Sequence, residues 1–273
     1  SAFHPLPTLV WRETNQHMDS PQTHRVPRIS GSVPADYRGP IYYRTRINHD
    51  EYAYKQLYGH LKFANRDLAR RLACAYQHEV AHRVDPRLFG PDREVLPIFR
   101  EPILVSLSAS APKKSPEWSF GHTQLVSERV REAIERLQPA KHLFIPMDIR
   151  GPDGWHRRYV FFVQRDHTQP LLALKANGIE YTTNEFGVPL FSTPAWALSV
   201  DHFGYLSAPI IEGAAVDQDG RIGTVMSKAL IDELGDVFPK GLYLVPMGVA
   251  DEERTVQRWV PTEEVLARLS NSV

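Results

Sequence analysis

Cysteine is nearly missing from this chain: Cys74 stands alone among 273 residues. No internal disulfide is possible, and a reducing compartment, the cytoplasm, is the expected home. Long apolar runs are missing as well. Nothing approaches the roughly 20 apolar residues that a spanning helix needs, so no membrane partner is expected. The first residues, SAFHPLPTLVW, lack the basic start and apolar centre of a signal peptide. Net charge is absent too. Lys plus Arg and Asp plus Glu both number 32, so no global basic field recruits nucleic acid, and no direct nucleic-acid partner is expected. G-x-S-x-G, Walker and G-x-G-x-x-G motifs are all lacking, which removes the commonest hydrolase and nucleotide-binding signatures.

What is present is an ordinary globular composition, 42% hydrophobic and 23% charged, long enough for a well-buried core. Residues 1–40 are rich in Pro, Ser, Thr and Arg and read as loops and short extended pieces. From Asp50 to Val84 the apolar residues Leu61, Ala64, Leu68, Leu72 and Ala75 recur at three- and four-residue steps. That spacing predicts one long helix, ended by Asp85-Pro86. EVLPIF and EPILVSLSAS read as extended segments, and APKKSPEW (112–118) as a connector. The expected organisation is therefore an N-terminal, largely helical region with a Pro-rich arm, residues 1–111, and a C-terminal domain, residues 112–273. In the second part YVFFVQ (159–164), LLALK (171–175) and IEYTT (179–183) read as strands.

A repeat organises the second part. LVSERVREAIERLQPAKHLFIPMDI (125–149) aligns without a gap on VMSKALIDELGDVFPKGLYLVPMGV (225–249), at an offset of 100. Ser127 matches Ser227, Pro139 matches Pro239, Pro146 matches Pro246 and Met147 matches Met247. Each serine is placed to cap a helix, its hydroxyl oxygen accepting from a free backbone N–H of the first turn. Val130, Ile134 and Leu137 then form an apolar stripe at helical spacing. A proline stops each helix, and a short strand follows. Pro146 and Pro246 lack the N–H of a ladder bond and belong at an edge or bulge. The expected class is α+β: an N-terminal helical region plus a mixed region built on two related helix–strand units, 125–149 and 225–249.

The unit, placed twice around a central DGWHRRYVFFVQRD, resembles immunity-protein family eleven of the bacterial polymorphic-toxin systems. The resemblance rests on LVSERVREAIERL, HLFIPMDI, RRYVFFVQ, GTVMSKALIDEL and GLYLVP, over roughly residues 120–250. It implies a protein that binds a cognate toxin or effector, occupying its active site or locking its conformation. It implies no chemistry and no cofactor. No catalytic signature is among these residues, so the resemblance assigns no functional positions, and the toxin-binding residues are left unknown.

One motif points elsewhere. His78-Glu79-Val80-Ala81-His82 fits H-E-x-x-H. Two histidines at i and i+4 on one helix face can reach one Zn²⁺, with Glu79 placed as base towards a bound water. The alternative function is thus a zinc-dependent hydrolase. Against it, catalytic zinc needs a third protein ligand. The elongated motif would put Gly at 85 and His at 88, where this chain has Asp85 and Leu88. Glu94 and Glu101 lie in Pro-broken extended sequence. Histidines near a helix C-terminus also suit the helix dipole. Cys74, four residues before His78, reads as a small buried hydrophobe.

Lesser features read as structure. DGWHRRY (153–159) is basic and aromatic, and fits a hairpin turn and strand. GPDG (151–154) and DQDG (217–220) are turn chemistry, and DEE (251–253) is an exposed acidic loop able to meet a basic partner.

Overall fold

The structure is a computed structural model of the whole chain. It describes residues 27–47, 57–64, 72, 101–111, 116–120, 124–163, 170–183, 189–192, 194, 199, 202–219, 222–239 and 241–251. Strand is the main regular structure among the described residues, in two six-stranded sheets and one two-stranded ribbon. The expected α+β class with an N-terminal helical region is therefore corrected. Within the stretch read as one long helix, Leu57–His60 is a single 3-10 turn and Leu61–Phe63 is a strand. Leu-Lys-Phe satisfies a two-residue period as well as a helical one. Its pairing with a distant strand decides the outcome.

The first sheet holds β3 (Leu61–Phe63), β4 (Ile103–Leu107), β5 (Trp118–Ser119), β6 (Gln124–Val126), β7 (Leu143–Gly151) and β8 (Gly154–Phe162). Its order is β3-β4-β7-β8-β6-β5. The second sheet holds β1 (Arg28–Ile29), β2 (Tyr42–Ile47), β11 (Gly204–Ser207), β12 (Val216–Asp219), β13 (Gly223–Ser227) and β14 (Leu242–Ala250). Its path is β1-β14-β2-β13-β12, with β11 on the same flank of β14 as β1. A ribbon of β9 (Thr182–Thr183) and β10 (Pro189–Leu190) stands apart. LLALK, read as a strand, instead forms a turn over 174–178, with one isolated bridge from Leu172 to Leu206.

Helix α1 (Glu128–Leu137) leads into β7, α2 (Ala208–Ile211) is one turn, and α3 (Lys228–Leu234) leads into β14. The Ser127 hydroxyl accepts from Val130 N–H at 3.3 Å and the Ser227 hydroxyl from Leu230 N–H at 3.2 Å. Each satisfies one orphan donor of a first turn. The serine backbones repeat a second contact: Ser127 N–H donates to the Glu117 carbonyl and Ser227 N–H to the Ala215 carbonyl, both at 2.8 Å. Val130, Ala133 and Ile134 face the core in α1, and Leu230, Ile231 and Leu234 in α3. Leu137, expected in the stripe, lies partly in solvent.

Five strands of each sheet repeat one arrangement. Reading β4-β7-β8-β6-β5 against β11-β14-β2-β13-β12, every pairing keeps its direction. The register agrees as well. Val160 of β8 lies between Leu125 and Ile145, and Arg44 of β2 lies between Val225 and Val245. Tyr159 lies between Val126 and Pro146, and Tyr43 between Met226 and Pro246. The second unit therefore takes its central strand from residues 42–47, upstream of its other four matched strands, where the first unit uses the strand directly after β7. It is a circularly permuted copy.

Both prolines now have an explanation. On the β4 flank, pairing of β7 begins at Met147; on the β11 flank of β14, β1 pairs Tyr243 and Leu244 and β11 takes over only at Met247. Pro146 and Pro246 each sit just before, where that flank is locally an edge.

One apolar cluster joins the units. It takes Trp118, Phe161, Val130 and Ile134 from the first and Met226, Leu230, Leu234 and Leu244 from the second. Each fully buried side chain of this size contributes about 1.5–3 kcal/mol relative to exposure. Helices α1 and α3 pack on each other, with Arg129–Asp236 at 2.8 Å and Arg136–Glu233 at 2.5 Å along the outside. Gln124 is buried where the sheets meet. It accepts from Trp118 Nε1 at 2.7 Å and donates to Gln218 at 2.7 Å and to Thr224 at 3.4 Å. The other face of the first sheet carries Leu57, Leu72, Ile145 and Val160, and that of the second carries Leu171, Leu206 and Val225.

Candidate interaction surface

The motif residues His78, Glu79 and His82, with Cys74, lie outside the described residues, so the geometry of a metal site there is not shown. Among the described residues no group of three His, Cys, Asp or Glu side chains comes together to hold an ion. A groove of about 590 Å³ opens beside the β9–β10 ribbon and is lined by Glu180, Tyr181, Thr182, Leu190, Phe191 and Ser192. It is shallow and holds a single ionisable carboxyl.

The basic-aromatic run DGWHRRY falls in the β7–β8 hairpin. Gly151 pairs Gly154 at its turn, and Gly154 has φ +126°, a conformation that side-chain-bearing residues rarely adopt. Asp153 braces the turn by accepting from His156 Nε2 at 2.7 Å. That bond, more than the weaker backbone contact, holds the Asp153 carboxyl below its usual range. Alternation then sorts the hairpin. Met147, Ile149, Val160 and Phe162 enter the core, while Asp148, Arg150, Trp155 and Arg157 occupy the opposite face.

In-register pairing arranges that face in rows. Leu104 lies beside Asp148, which lies beside Arg157; Ser106 lies beside Arg150, which lies beside Trp155. Helix α1 covers the same face further along. The rows near the hairpin turn lie open: Leu104 is 62% exposed and Trp155 is 41% exposed.

A polar network joins the open rows to the helix. Asp148 accepts from Arg157, with Nη2 at 3.2 Å and Nε closer. The Tyr159 hydroxyl donates to Glu128, at the first position of α1, and Arg131 also pairs with Glu128. The Arg131 guanidinium stands 4.9 Å from the Tyr159 ring centre. Burial pushes the Glu128 carboxyl up, but the bonds from Tyr159 and Arg131 outweigh it and hold it below the usual range. Burial, then the Glu128 carboxylate, raises the Tyr159 phenol. The bond to Asp148 raises Arg157 against the effect of burial. These are fixed ion pairs that hold the sheet to the helix and orient Arg157; no side chain among them is poised as a nucleophile.

Sequence reasoning singled out Trp155 and Arg157, within DGWHRRY, but missed Leu104, Asp148 and Arg150. A signal was there. In EPILVSL the apolar residues run 103–105 without alternation, so one must point away from a one-sided core. That one is Leu104.

Comparison with known proteins finds a family match in this part of the chain. Residues 59–167 match the Immunity protein family (Imm11), which is 109 of the 273 residues. No curated protein matches the chain. The resemblance read from the sequence is thus shown, with a different extent. The match begins at residue 59, well before residue 120, and encloses the whole first sheet from β3 to β8. The segment holding His78 and His82 lies inside it.

Proposed function

We propose, from the match of residues 59–167 to the immunity family, that the chain neutralises a cognate bacterial toxin by direct protein–protein binding. Protection of this kind needs occupancy and not turnover, so the protein acts without catalysis, metal or cofactor. The matched residues coincide with one complete structural unit, and that unit presents an open face bearing Leu104 and Trp155. Aromatic and arginine side chains are the usual anchors of such interfaces. A standard interface needs about 800 Å² from each partner. We place the protein in the cytoplasm, in keeping with a single cysteine; among the described residues no helix is long and apolar enough to cross a membrane.

The test is titration of the toxin encoded beside its gene. A binder abolishes toxin activity at a one-to-one ratio and co-elutes as a stable complex. Inactivation of many toxin molecules by one molecule of this protein would instead mean catalysis. On the binding reading the H-E-x-x-H residues take no part, and the His78→Ala/His82→Ala variant protects cells as well as the parent does. Loss of protection by that variant, still fully folded, would count against it.

A further inference from the structure

The two units show the same sheet face in two conditions. In the second unit the positions matching Leu104 and Asp148 are Tyr205 and Gly248, paired in the same parallel register. That face is covered by an upstream segment of the chain. Tyr37 lies over it, ring to ring with Phe203 at 5.3 Å and with Tyr205 at 6.1 Å. Its hydroxyl accepts from Val249 N–H at 2.6 Å and donates to the Pro40 carbonyl at 2.7 Å. Gly248 makes room: a Cβ there would stand 2.9 Å from the Phe203 ring. In the first unit nothing comparable covers the face among the described residues, and Leu104 and Trp155 are left in water.

Charge adds a second constraint. Arg157 is neutralised by Asp148, and Asp153 is engaged by His156. Arg150, between Ser106 and Trp155, is exposed and makes no side-chain hydrogen bond or ion pair among the described residues. The open face is thus apolar at both margins with one uncompensated cation.

We propose that this face is where the toxin docks. The element it receives is an extended or turn segment of the toxin carrying an aromatic ring next to a carboxylate. The ring lies over Leu104 and Trp155 as Tyr37 lies over Tyr205, and the carboxylate meets Arg150. This rests on the toxin-binding reading above and adds the surface and the chemistry of the partner segment.

The experiment uses the full chain and the toxin encoded beside its gene. First, the parent must form a complex. If it forms none, the toxin-binding reading fails and this inference falls with it. Given a complex, Leu104→Glu and Trp155→Ala should each weaken affinity about 30-fold or more, the size of a hot-spot truncation. Arg150→Gln should chiefly slow association and weaken its salt dependence. Leu190→Glu, at another exposed apolar position (49% exposed), should bind as the parent does. All four side chains are substantially exposed, so thermal midpoints should stay with the parent's and separate lost contact from lost fold. A photo-crosslinking residue at 104 should attach to a toxin peptide holding an aromatic residue within two positions of Asp or Glu. Unchanged affinity in Leu104→Glu and Trp155→Ala, with the parent complex intact, would overturn the surface. A crosslink to a peptide without that pair would overturn the chemistry. Self-association through this face, broken by Leu104→Glu, would make a second copy the occupant and overturn it as well.

Discussion

The paired caps offer a quantitative test of the duplication. In Ser127→Ala the hydroxyl that receives Val130 N–H is removed, and in Ser227→Ala the one that receives Leu230 N–H. The backbone bonds to Glu117 and Ala215 do not involve the side chain and survive. What is lost is one capping bond per helix, typically about 1 kcal/mol within a range of about 0.5–2. The surroundings set the order. Ser127 is 4% exposed, so water cannot replace the lost acceptor, and its cost should fall in the upper half of the range. Ser227 is only half-buried, so its cost should fall in the lower half. For a chain of this size 1 kcal/mol moves the thermal midpoint by about 2–4 °C. Denaturant unfolding followed by circular dichroism reads both costs from the midpoint at constant slope. Ser227→Asp should retain stability, because a carboxylate caps and also suits the helix N-terminus. A silent Ser227→Ala beside a costly Ser127→Ala would refute equivalent caps, and a larger cost at 227 than at 127 would refute the burial argument.

Three further outcomes are expected. Gly248→Ala brings a methyl within 2.9–3.0 Å of the Phe203 and Tyr205 rings, an overpacking worth about 1–3 kcal/mol; Phe203→Leu in the same chain should recover part of it in a denaturant titration. Glu128 has its carboxyl held below the usual range, burial being outweighed by Tyr159 and Arg131, so its contribution is full above its unfolded pKa and fades as pH falls through the lower folded value. Glu128→Gln should therefore be less stable than the parent at pH 7, with the gap closing below about pH 4.5; a gap independent of pH would show that the charge is not involved. Leu104→Ser should change stability by less than about 0.5 kcal/mol, since the side chain is mostly in water; a cost above about 1 kcal/mol would mean that part of the chain covers it.

The sequence made local features readable and hid the long-range ones. The capped helices with their following strands, the turn at 151–154 and the strand within YVFFVQ announce themselves through capping chemistry, proline and β-branched or aromatic runs. The class was misread because the pairing of β2 and β3 leaves almost no local mark. In Tyr-Tyr-Arg-Thr-Arg-Ile of β2, Tyr43 and Ile47 meet the shared cluster, while Arg44 lies on the other face yet is buried. Burial and the neighbouring Arg46 lower the Arg44 pKa to about 10, and a guanidinium in a central strand is the reverse of a strand signal. The partners of β2 stand some 200 residues away in β13 and β14. The open face was half legible, in Trp155 and Arg157 but not in Arg150, because which outward residues a helix covers is decided by packing and not by alternation.

The permutation gives the two faces different fates. In the first unit β7 turns straight into β8, so the hairpin tip with Arg150 and Trp155 projects at the end of its sheet. In the second unit the strand matching β8 arrives from upstream, and the residues leading into it, around Tyr37 to Pro40, must cross the end of the sheet to reach β2. That crossing lays Tyr37 on the face and closes it. One arrangement used twice thus yields one closed surface and one that stays open among the described residues, and the difference follows from connectivity. If so, lifting Tyr37 should open the second face. Tyr37→Ala removes a ring from an edge-to-face trio in which Phe203 and Tyr205 remain 5.5 Å apart, a loss of about 0.5–1.5 kcal/mol per aromatic pair beyond the buried area. It should increase hydrogen exchange at Val249, whose N–H loses its acceptor, and leave exchange in the β7–β8 hairpin unchanged. Protection at Val249 that survives the substitution would mean that something other than the Tyr37 crossing closes that face.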